Sequence, residues 1–216
     1  YDQVQQDLVR LRELETLRDN LTHMVVHDMR SPLMGISGCY EIIAKEQDKL
    51  PSSTKEFVTM GQNACRELIE MVSSLLDVSR MEAGEMPLKR APCDITTIAR
   101  DAADSVAVLA KEKMLVLRVT GDPAGADVDR DIIHRVFVNL LGNAIKSSRD
   151  EGTIAIGVSY AGSTVRVTLA DQGHGIPPEY HQRIFEKFGQ VQARKENKKY
   201  STGLGLTFCK LAVEAH

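Results

Sequence analysis

The sequence predicts an α+β protein built from two parts, a long helical hairpin followed by an α/β sandwich. Residues 1–46 and 53–83 carry apolar side chains at alternating three- and four-residue steps, which is typical of helices that pack in bundles. Residues 84–93 contain two prolines and a glycine, which indicates a linker. Helical and alternating segments follow in mixed order, which indicates helices packed on a sheet.

The first part, residues 1–83, is predicted to be a dimerisation hairpin with residues 1–20 as a coiled-coil lead-in. Ser53 and Glu56 fit a capping box that opens the second helix. One hairpin has too little surface on which to bury its apolar stripes, so we expect two copies to form a four-helix bundle in a homodimer. The predicted stripe of the second helix comprises Phe57, Ala64, Leu68, Met71, Leu75 and Val78.

The second part, residues 94–216, is predicted to be the α/β domain. Its pattern changes between a three- to four-residue period and strict alternation. Helices are expected at residues 95–113, 130–148 and from about 203 onward, and strands at 114–120, 153–160 and 164–171.

Composition excludes several classes of protein. A net charge of −3 gives no reason to expect a nucleic-acid partner. No apolar run approaches the roughly 18 residues needed to cross a bilayer, so we expect a cytoplasmic location, with membrane anchoring of a longer protein left open. Because the chain opens at Tyr1 inside a helical pattern, we expect a longer protein with an upstream sensor domain. The scattered cysteines favour small buried thiols.

Residues 27–32 (HDMRSP) are the first candidate site. On a helix, His27 lies about 200° from Val25 of the local apolar stripe, and Ser31 lies one turn further on the same face. A neutral imidazole is a nucleophile near pH 7, and the neighbouring Asp28 can take its proton. The alternative is a solvated surface histidine.

The second candidate comprises Asn139, Asn143 and Lys146, whose spacing puts them on one helix face. Amide oxygens are suitable ligands for Mg²⁺, and a lysine can meet phosphate charge. An ordinary amphipathic helix with a polar outer face explains the spacing equally well.

Two glycine motifs complete the candidates. Asp171 precedes Gly173 and Gly175 at a predicted strand end, where a carboxylate can accept from an exocyclic amine such as that of adenine. Residues 203–205 open the last helix, where backbone N–H groups can bind phosphate. The alternatives are a glycine-rich turn and a capped helix start behind a solvated charge run.

The order of these motifs resembles the sensor histidine kinase family over essentially the whole chain from about residue 15. Related ATPases share the glycine motif that begins at Asp171 but lack the hairpin with its histidine. The five boxes of the family (H, N, G1, F and G2) correspond in turn to residues 27–32, 139–146, 171–175, 185–188 and 203–205.

The resemblance implies a Bergerat-type ATP-binding domain and transfer of the ATP γ-phosphoryl group to His27, then to a response-regulator aspartate. It implies that Asp28 assists His27 and that Ser31 serves a phosphatase activity toward the regulator. Asp171 would hold adenine, Asn143 would bind Mg²⁺, and residues 172–202 would form a mobile lid anchored by Phe185 and Phe188. The implied ATP-site residues are Asn139, Asn143, Lys146, Asp171, Gly173, Gly175, Phe188, Thr202, Gly203, Leu204 and Gly205.

Three departures from the family pattern stand out. Ser147 replaces a frequent bulky residue, Ser201 replaces a frequent glycine, and the family's C-terminal strands are expected to be absent. Two other functions remain open, a regulatory pseudokinase that acts as a scaffold and a general ATPase without an acceptor histidine. Intact His27, Asn143 and Asp171 argue against the pseudokinase, and the H box at residues 27–32 argues against the general ATPase.

Overall fold

The computed structural model describes residues 29–30, 32–43, 45, 51–189 and 203–216. The chain divides into two compact units, Tyr1–Met86 and Pro87–His216. Within the described residues, every helix is too short or too polar to span a lipid bilayer.

The described residues of the first unit are mostly helical, as the apolar steps predicted. Its described residues 29–30, 32–43 and 45 are labelled α1, and the second helix, α2, spans Ser52–Glu82. Pro51 occupies the N-cap position of α2 and has no capping side chain. The prediction that Ser53 caps this helix was wrong, because the helix has already begun one residue earlier.

The two helices of the hairpin run antiparallel. The Arg30 guanidinium donates a 3.1 Å hydrogen bond to Ser73 Oγ, and the Gln62 side-chain amide donates at 3.3 Å to the Tyr40 carbonyl oxygen. A later residue on α1 therefore meets an earlier residue on α2. The Tyr40 ring lies directly against Gly61, where any larger side chain would collide with it.

The buried stripe of α2 is offset from the predicted one. Leu33 of α1 packs against a cluster containing Val72 and Leu76. Of the predicted stripe, Val78 is buried and Met71 and Leu75 are half-buried, whereas Phe57, Ala64 and Leu68 are exposed. The buried apolar residues of α2 are Val58, Cys65, Val72, Leu76 and Val78. The hairpin therefore leaves half of the predicted stripe without cover within one chain.

The second unit contains two sheets. Strands β1 (Ala91–Asp94) and β3 (Gly125–Val128) pair antiparallel. In the larger sheet, β2 (Val116–Thr120) pairs parallel with β4 (Thr153–Ala161), which pairs antiparallel with β5 (Thr164–Ala170). The three strands of the larger sheet, β2, β4 and β5, follow the sequence prediction closely. Strands β1 and β3 were not predicted, and the first three residues of β1 lie in the segment that we took as linker.

Three helices of the second unit pack on the larger sheet, and the last helix packs on the one before it. Alternating residues of β4 are buried, including Ile154 and Ile156, and they contact a core that includes Phe137 and Leu141. This arrangement confirms the predicted α/β sandwich. The α-helices that the structure describes in this unit are α3 (Ile95–Ser105), α4 (Ala107–Glu112), α5 (Arg130–Ser147) and α6 (Gly205–Ala215).

The helix predicted over residues 95–113 is interrupted. Val106 leaves helical geometry, with φ −106° and ψ 5°, and separates α3 from α4. The Ser105 hydroxyl donates to the Asp101 carbonyl oxygen at 2.8 Å, a type of back-bond that bends helices. The apolar period continues through this break, so periodicity alone did not reveal it.

Candidate functional site

Helices α5 and α6 pack antiparallel, and this packing builds one end of the site. A side chain added at Gly205, the first residue of α6, would begin 3.7 Å from the Asn139 side chain in the middle of α5. At the other end of α6, the Asp129 N–H donates at 3.0 Å to His216 Nε2. The N-terminus of α6 therefore faces the middle of α5, and its C-terminus faces the start of α5.

Asp129 caps the start of α5. Its Oδ1 accepts from the backbone N–H groups of Asp131 and Ile132, and its Oδ2 accepts from the Lys89 N–H at 2.8 Å. Burial of this carboxyl acts to raise its pKa, but the three N–H donors and the nearby His216 together hold the pKa below its ordinary value. The same side chain therefore fixes both the helix start and the segment that enters this unit.

The candidate metal and phosphate ligands share α5. Asn139 and Asn143 are half-buried and Lys146 is exposed, whereas the opposite face of the helix packs into the core. The helix therefore presents a polar face, as its spacing predicted. The buried α5 residues are Ile133, Val136, Phe137, Leu141, Ala144 and Ile145.

The Asp171 turn lies against the C-terminal end of α5. The Gly173 N–H donates to Asp171 Oδ1 at 2.7 Å, and Gly173 forms an antiparallel bridge with Ser148. A Cβ at Gly173 would lie 2.6 Å from Asp171 Oδ1 and 2.9 Å from the Ser147 carbonyl oxygen. Only glycine fits this approach, so the position of the carboxylate depends on it.

Helix α5 thus connects the two glycine motifs. Asn139 meets Gly205 and Ser147 meets Gly173, and these two contacts are separated by about 12 Å along the helix. Asn143 lies one turn from each contact. The structure brings the three motifs together along one helix, in the order that an extended ligand would meet them.

Lys113 is a supporting residue that the sequence analysis missed. Its Nζ donates to the carbonyl oxygens of Ile145, Lys146 and Ser148 at 2.8, 3.2 and 3.2 Å. These carbonyls belong to the end of α5, where the helix leaves them without helical partners. Because Lys113 is at least 32 residues away in sequence, no local pattern could have revealed this contact.

A main-chain hydrogen bond joins Phe188 of the candidate lid to Gly203, which lies just beyond the lid. The Phe188 N–H donates to the Gly203 carbonyl oxygen at 3.1 Å, while 57% of the Phe188 side chain is exposed. Phe185 is also exposed, by 38%. The lid was expected to be anchored by Phe185 and Phe188, and the contact seen at Phe188 is made by its main chain. Leu204, which follows Gly203, is fully buried and occupies the N-cap position of α6.

Cys209 is buried against α5, where its thiol donates to the Val136 carbonyl oxygen at 3.7 Å, and it is not a nucleophile. Burial raises the pKa of its thiol to about 12, against the opposing effects of the Arg135 charge and a hydrogen bond with Asn139. The buried state of Cys65 and Cys209 agrees with the prediction, whereas Cys39 is exposed.

Several candidate residues lie outside the described residues, namely His27, Asp28, Ser31 and Thr202. Their assignments stay predictions. Among the residues that are described, no group of three or more His, Cys, Asp or Glu side chains could hold a metal ion.

Two protein families match this chain. Residues 17–84 match the family described as the His Kinase A (phospho-acceptor) domain. Residues 128–216 match the family described as the histidine kinase-, DNA gyrase B- and HSP90-like ATPase.

Curated relatives match across nearly the whole chain. It is 31% identical over 217 residues to the sensor histidine kinase TmoS of Ectopseudomonas mendocina, a match that covers 99% of this chain and 22% of that protein. It is 31% identical over 214 residues to the hybrid signal transduction histidine kinase D of Dictyostelium discoideum, covering 96% of this chain and 14% of that protein. The chain therefore spans less than a quarter of either relative.

A solved structure supports the same fold. Full-length ShkA in complex with AMPPNP matches with a TM-score of 0.75 and 27% identity, over 91% of this chain and 41% of that one.

Proposed function

We propose a function from one premise, that this chain belongs to the sensor histidine kinase family. The chain transfers the γ-phosphoryl group of ATP to His27 and then to an aspartate of a response-regulator receiver domain. In the first step a bond forms between an imidazole nitrogen and phosphorus, the bond to the bridging oxygen of ADP breaks, and Asp28 takes the imidazole proton. The reaction takes place in the cytoplasm, under control of a sensor domain in a longer protein.

The observation that carries the proposal is the path of α5 between the two glycine motifs. Adenine fits the Gly173 end, where Asp171 uses one carboxylate oxygen to accept from the Gly173 N–H and keeps the other for an exocyclic amine. The phosphates fit the Gly205 end, at the N-terminus of α6, where backbone N–H groups can bind them. Asn139 and Asn143 lie between them.

The residues of α5 suit a magnesium ion that arrives with the nucleotide. Without an acidic cluster among the described residues, the chain offers amide oxygens, and Mg²⁺ commonly takes few protein ligands beside phosphate oxygens and water. Asn143 would hold the ion, with Asn139 beside it. When bound, Mg²⁺ neutralises phosphate charge, and Lys146 adds a positive side chain one turn away.

The exposed apolar residues of the hairpin support a homodimer. Ile36 and Phe57 are 48% and 66% exposed in the single chain, on helices whose internal packing uses other residues. Burying such side chains in a four-helix bundle would stabilise the pair by about 25 cal/mol per Å² of apolar surface.

The direct test is incubation of the 216-residue chain with ATP labelled on its γ-phosphate. We expect label that is stable in base and lost in acid, and we expect His27→Gln to abolish it without weakening ATP binding. His23→Gln, one turn earlier, is the matched control and should be labelled normally. ATP binding without any label in the wild type would instead support a pseudokinase, and acid-labile label on His27→Gln would move the acceptor to His23.

A further inference from the structure

The C-terminal end of α5 fixes the turn that positions the Asp171 carboxylate. Ser148 follows the last residue of α5 and forms an antiparallel bridge with Gly173, whose N–H donates to Asp171 Oδ1 at 2.7 Å. The Ser147 carbonyl oxygen is also close, since a Cβ at Gly173 would lie 2.9 Å from it. A displacement of the end of α5 would therefore move Gly173 and the carboxylate that is bonded to it.

Lys113 holds this end of α5 from outside the helix. The chain turns after it, because the next residue, Met114, has φ +53°. The Lys113 side chain is half-buried, and its Nζ donates to the carbonyl oxygens of Ile145, Lys146 and Ser148. An ammonium group has three N–H donors, so these three acceptors use all of them. Lys113 therefore acts on the site through α5 and not through a contact of its own with a ligand.

Further hydrogen bonds connect Lys113 and Asp171 to the same turn of the chain. The Lys113 carbonyl oxygen accepts from the Glu151 N–H at 3.0 Å. Two residues later, the Thr153 N–H donates at 2.9 Å to Oε1 of Gln172, the neighbour of Asp171. The segment between α5 and β4 is thus bonded to Lys113 on one side and to the Asp171 turn on the other.

We infer that Lys113 is a positioning residue for base recognition, which holds the Asp171 carboxylate where it meets the exocyclic amine of adenine. Guanine presents a carbonyl oxygen there, which cannot donate to a carboxylate, so Lys113 contributes to the preference for ATP over GTP. This role rests on the proposed function, since it needs adenine at the Gly173 end. The alternative is that Lys113 only stabilises α5 by binding its terminal carbonyls.

The ratio of ATP affinity to GTP affinity separates these two roles. Lys113→Met keeps an unbranched side chain but removes the charge and the N–H donors. With the full chain and Mg²⁺, calorimetric titrations should show that this variant binds ATP about five- to tenfold more weakly and GTP less than about twofold more weakly. The ratio of ATP affinity to ADP affinity should stay at its wild-type value, because the Gly205 end lies about 12 Å further along α5. Lys111→Met, at an exposed lysine of α4, is the matched control and should bind these nucleotides normally.

A double substitution tests whether Lys113 acts through Asp171. In the Asp171→Asn background, Lys113→Met should not lower the ratio of ATP affinity to GTP affinity any further, because the carboxylate that Lys113 positions is already gone. A purely stabilising role would lower the melting temperature of Lys113→Met and leave that ratio unchanged.

An unchanged ratio of ATP affinity to GTP affinity in folded Lys113→Met would overturn the inference, as would an equal fall of that ratio in the Asp171→Asn background. Either result would leave the proposed function intact, because the wild type would still bind ATP. Failure of the wild-type chain to bind either nucleotide would instead reject the proposed function together with the inference. If Lys113→Met lacks the wild-type circular dichroism, Lys113→Gln, which keeps an NH₂ donor, decides by the same ratio.

Discussion

The backbone N–H of Phe188 donates a 3.1 Å hydrogen bond to the carbonyl oxygen of Gly203, and this bond joins the two segments that flank residues 190–202 of the candidate lid. Gly203 has φ +69°, and a Cβ there would lie 2.8 Å from Phe188 Cα. Both facts require glycine at this position. The bond places Phe188 of the lid next to the first residues of α6.

We predict that Gly203→Ala weakens ATP binding by about tenfold and lowers the free energy of unfolding by about 1–2 kcal/mol. The added methyl group would push Phe188 away and shift the start of α6, where the phosphates are proposed to bind. Calorimetric titration with ATP and thermal unfolding measure the two effects.

Gly162→Ala is the control for backbone strain. Gly162 also has a positive φ, of +65°, but a Cβ there meets nothing within 4 Å. It should lower the melting temperature and leave ATP affinity unchanged. Equal ATP affinity in Gly203→Ala and Gly162→Ala would contradict a role for the Phe188 contact in nucleotide binding.

Asp171→Asn should reduce ATP affinity at least about tenfold. The Gly173 N–H selects the side-chain oxygen of the new amide, so the NH₂ group would face the adenine amine, donor against donor. Guanine carries a carbonyl at the equivalent position, and this carbonyl can accept a hydrogen bond from the new NH₂ group. The ratio of ATP affinity to GTP affinity should therefore be lower in the variant than in the wild type. Asp150→Asn, an exposed carboxylate in a nearby turn, serves as control. An unchanged ratio would remove Asp171 as the adenine contact.

Stability at low pH should depend on Asp129. The pKa of this carboxyl is depressed in the folded state, so its contribution is present above the unfolded value of about 3.9 and is lost as pH falls through the folded value. Asp129→Asn should therefore cost about 1–2 kcal/mol at pH 7 and progressively less below about pH 4. Urea unfolding at several pH values measures this, with the exposed Asp127→Asn as control. A gap that stays constant with pH would contradict the assignment.

The chain should be a homodimer at micromolar concentration, and Phe57→Glu should shift it toward monomer. A charged side chain at this exposed apolar position would be costly to bury against a second hairpin. Light scattering gives the mass. Met114→Glu, at a 60% exposed position in the other unit, should not change it. A monomeric mass for folded wild-type protein would rule out the proposed bundle.

Ser31→Ala should leave phosphorylation of His27 nearly intact and slow the loss of phosphate from the response regulator. One turn beyond His27 on a helix, the hydroxyl could align water for attack on the aspartyl phosphate. The structural alternative is a hydrogen bond back to the helix before Pro32. Equal rates of regulator dephosphorylation for wild type and variant would leave Ser31 with that structural role.

Periodic segments of the sequence predicted the hairpin, α5 and the three strands of the larger sheet. Strands β1 and β3 escaped prediction because they are four residues long, too short to display alternation, and β1 contains Pro92. The offset of the α2 stripe was also missed, since adjacent apolar residues such as Phe57 and Val58 fit a helical period equally well.

In the candidate site too, the residues proposed from local sequence spacing differ from those that only the folded structure reveals. Asn139, Asn143 and Asp171 were identified from local spacing, which requires only helix geometry and a strand end. Lys113 and the stacking of Arg135 on Phe208 depend on contacts between residues far apart in sequence. The chemistry of a side chain is visible in a sequence, whereas the partner that holds it depends on the folded chain.

Asp129 joins three pieces of chain, the segment at Lys89, the start of α5 and the end of α6 at His216. Sliding α6 along α5 by one residue would break the contact with His216 and carry Gly205 past Asn139. The position of Gly205 against Asn139 is therefore fixed by the contact between Asp129 and His216, about 15 Å away along α5.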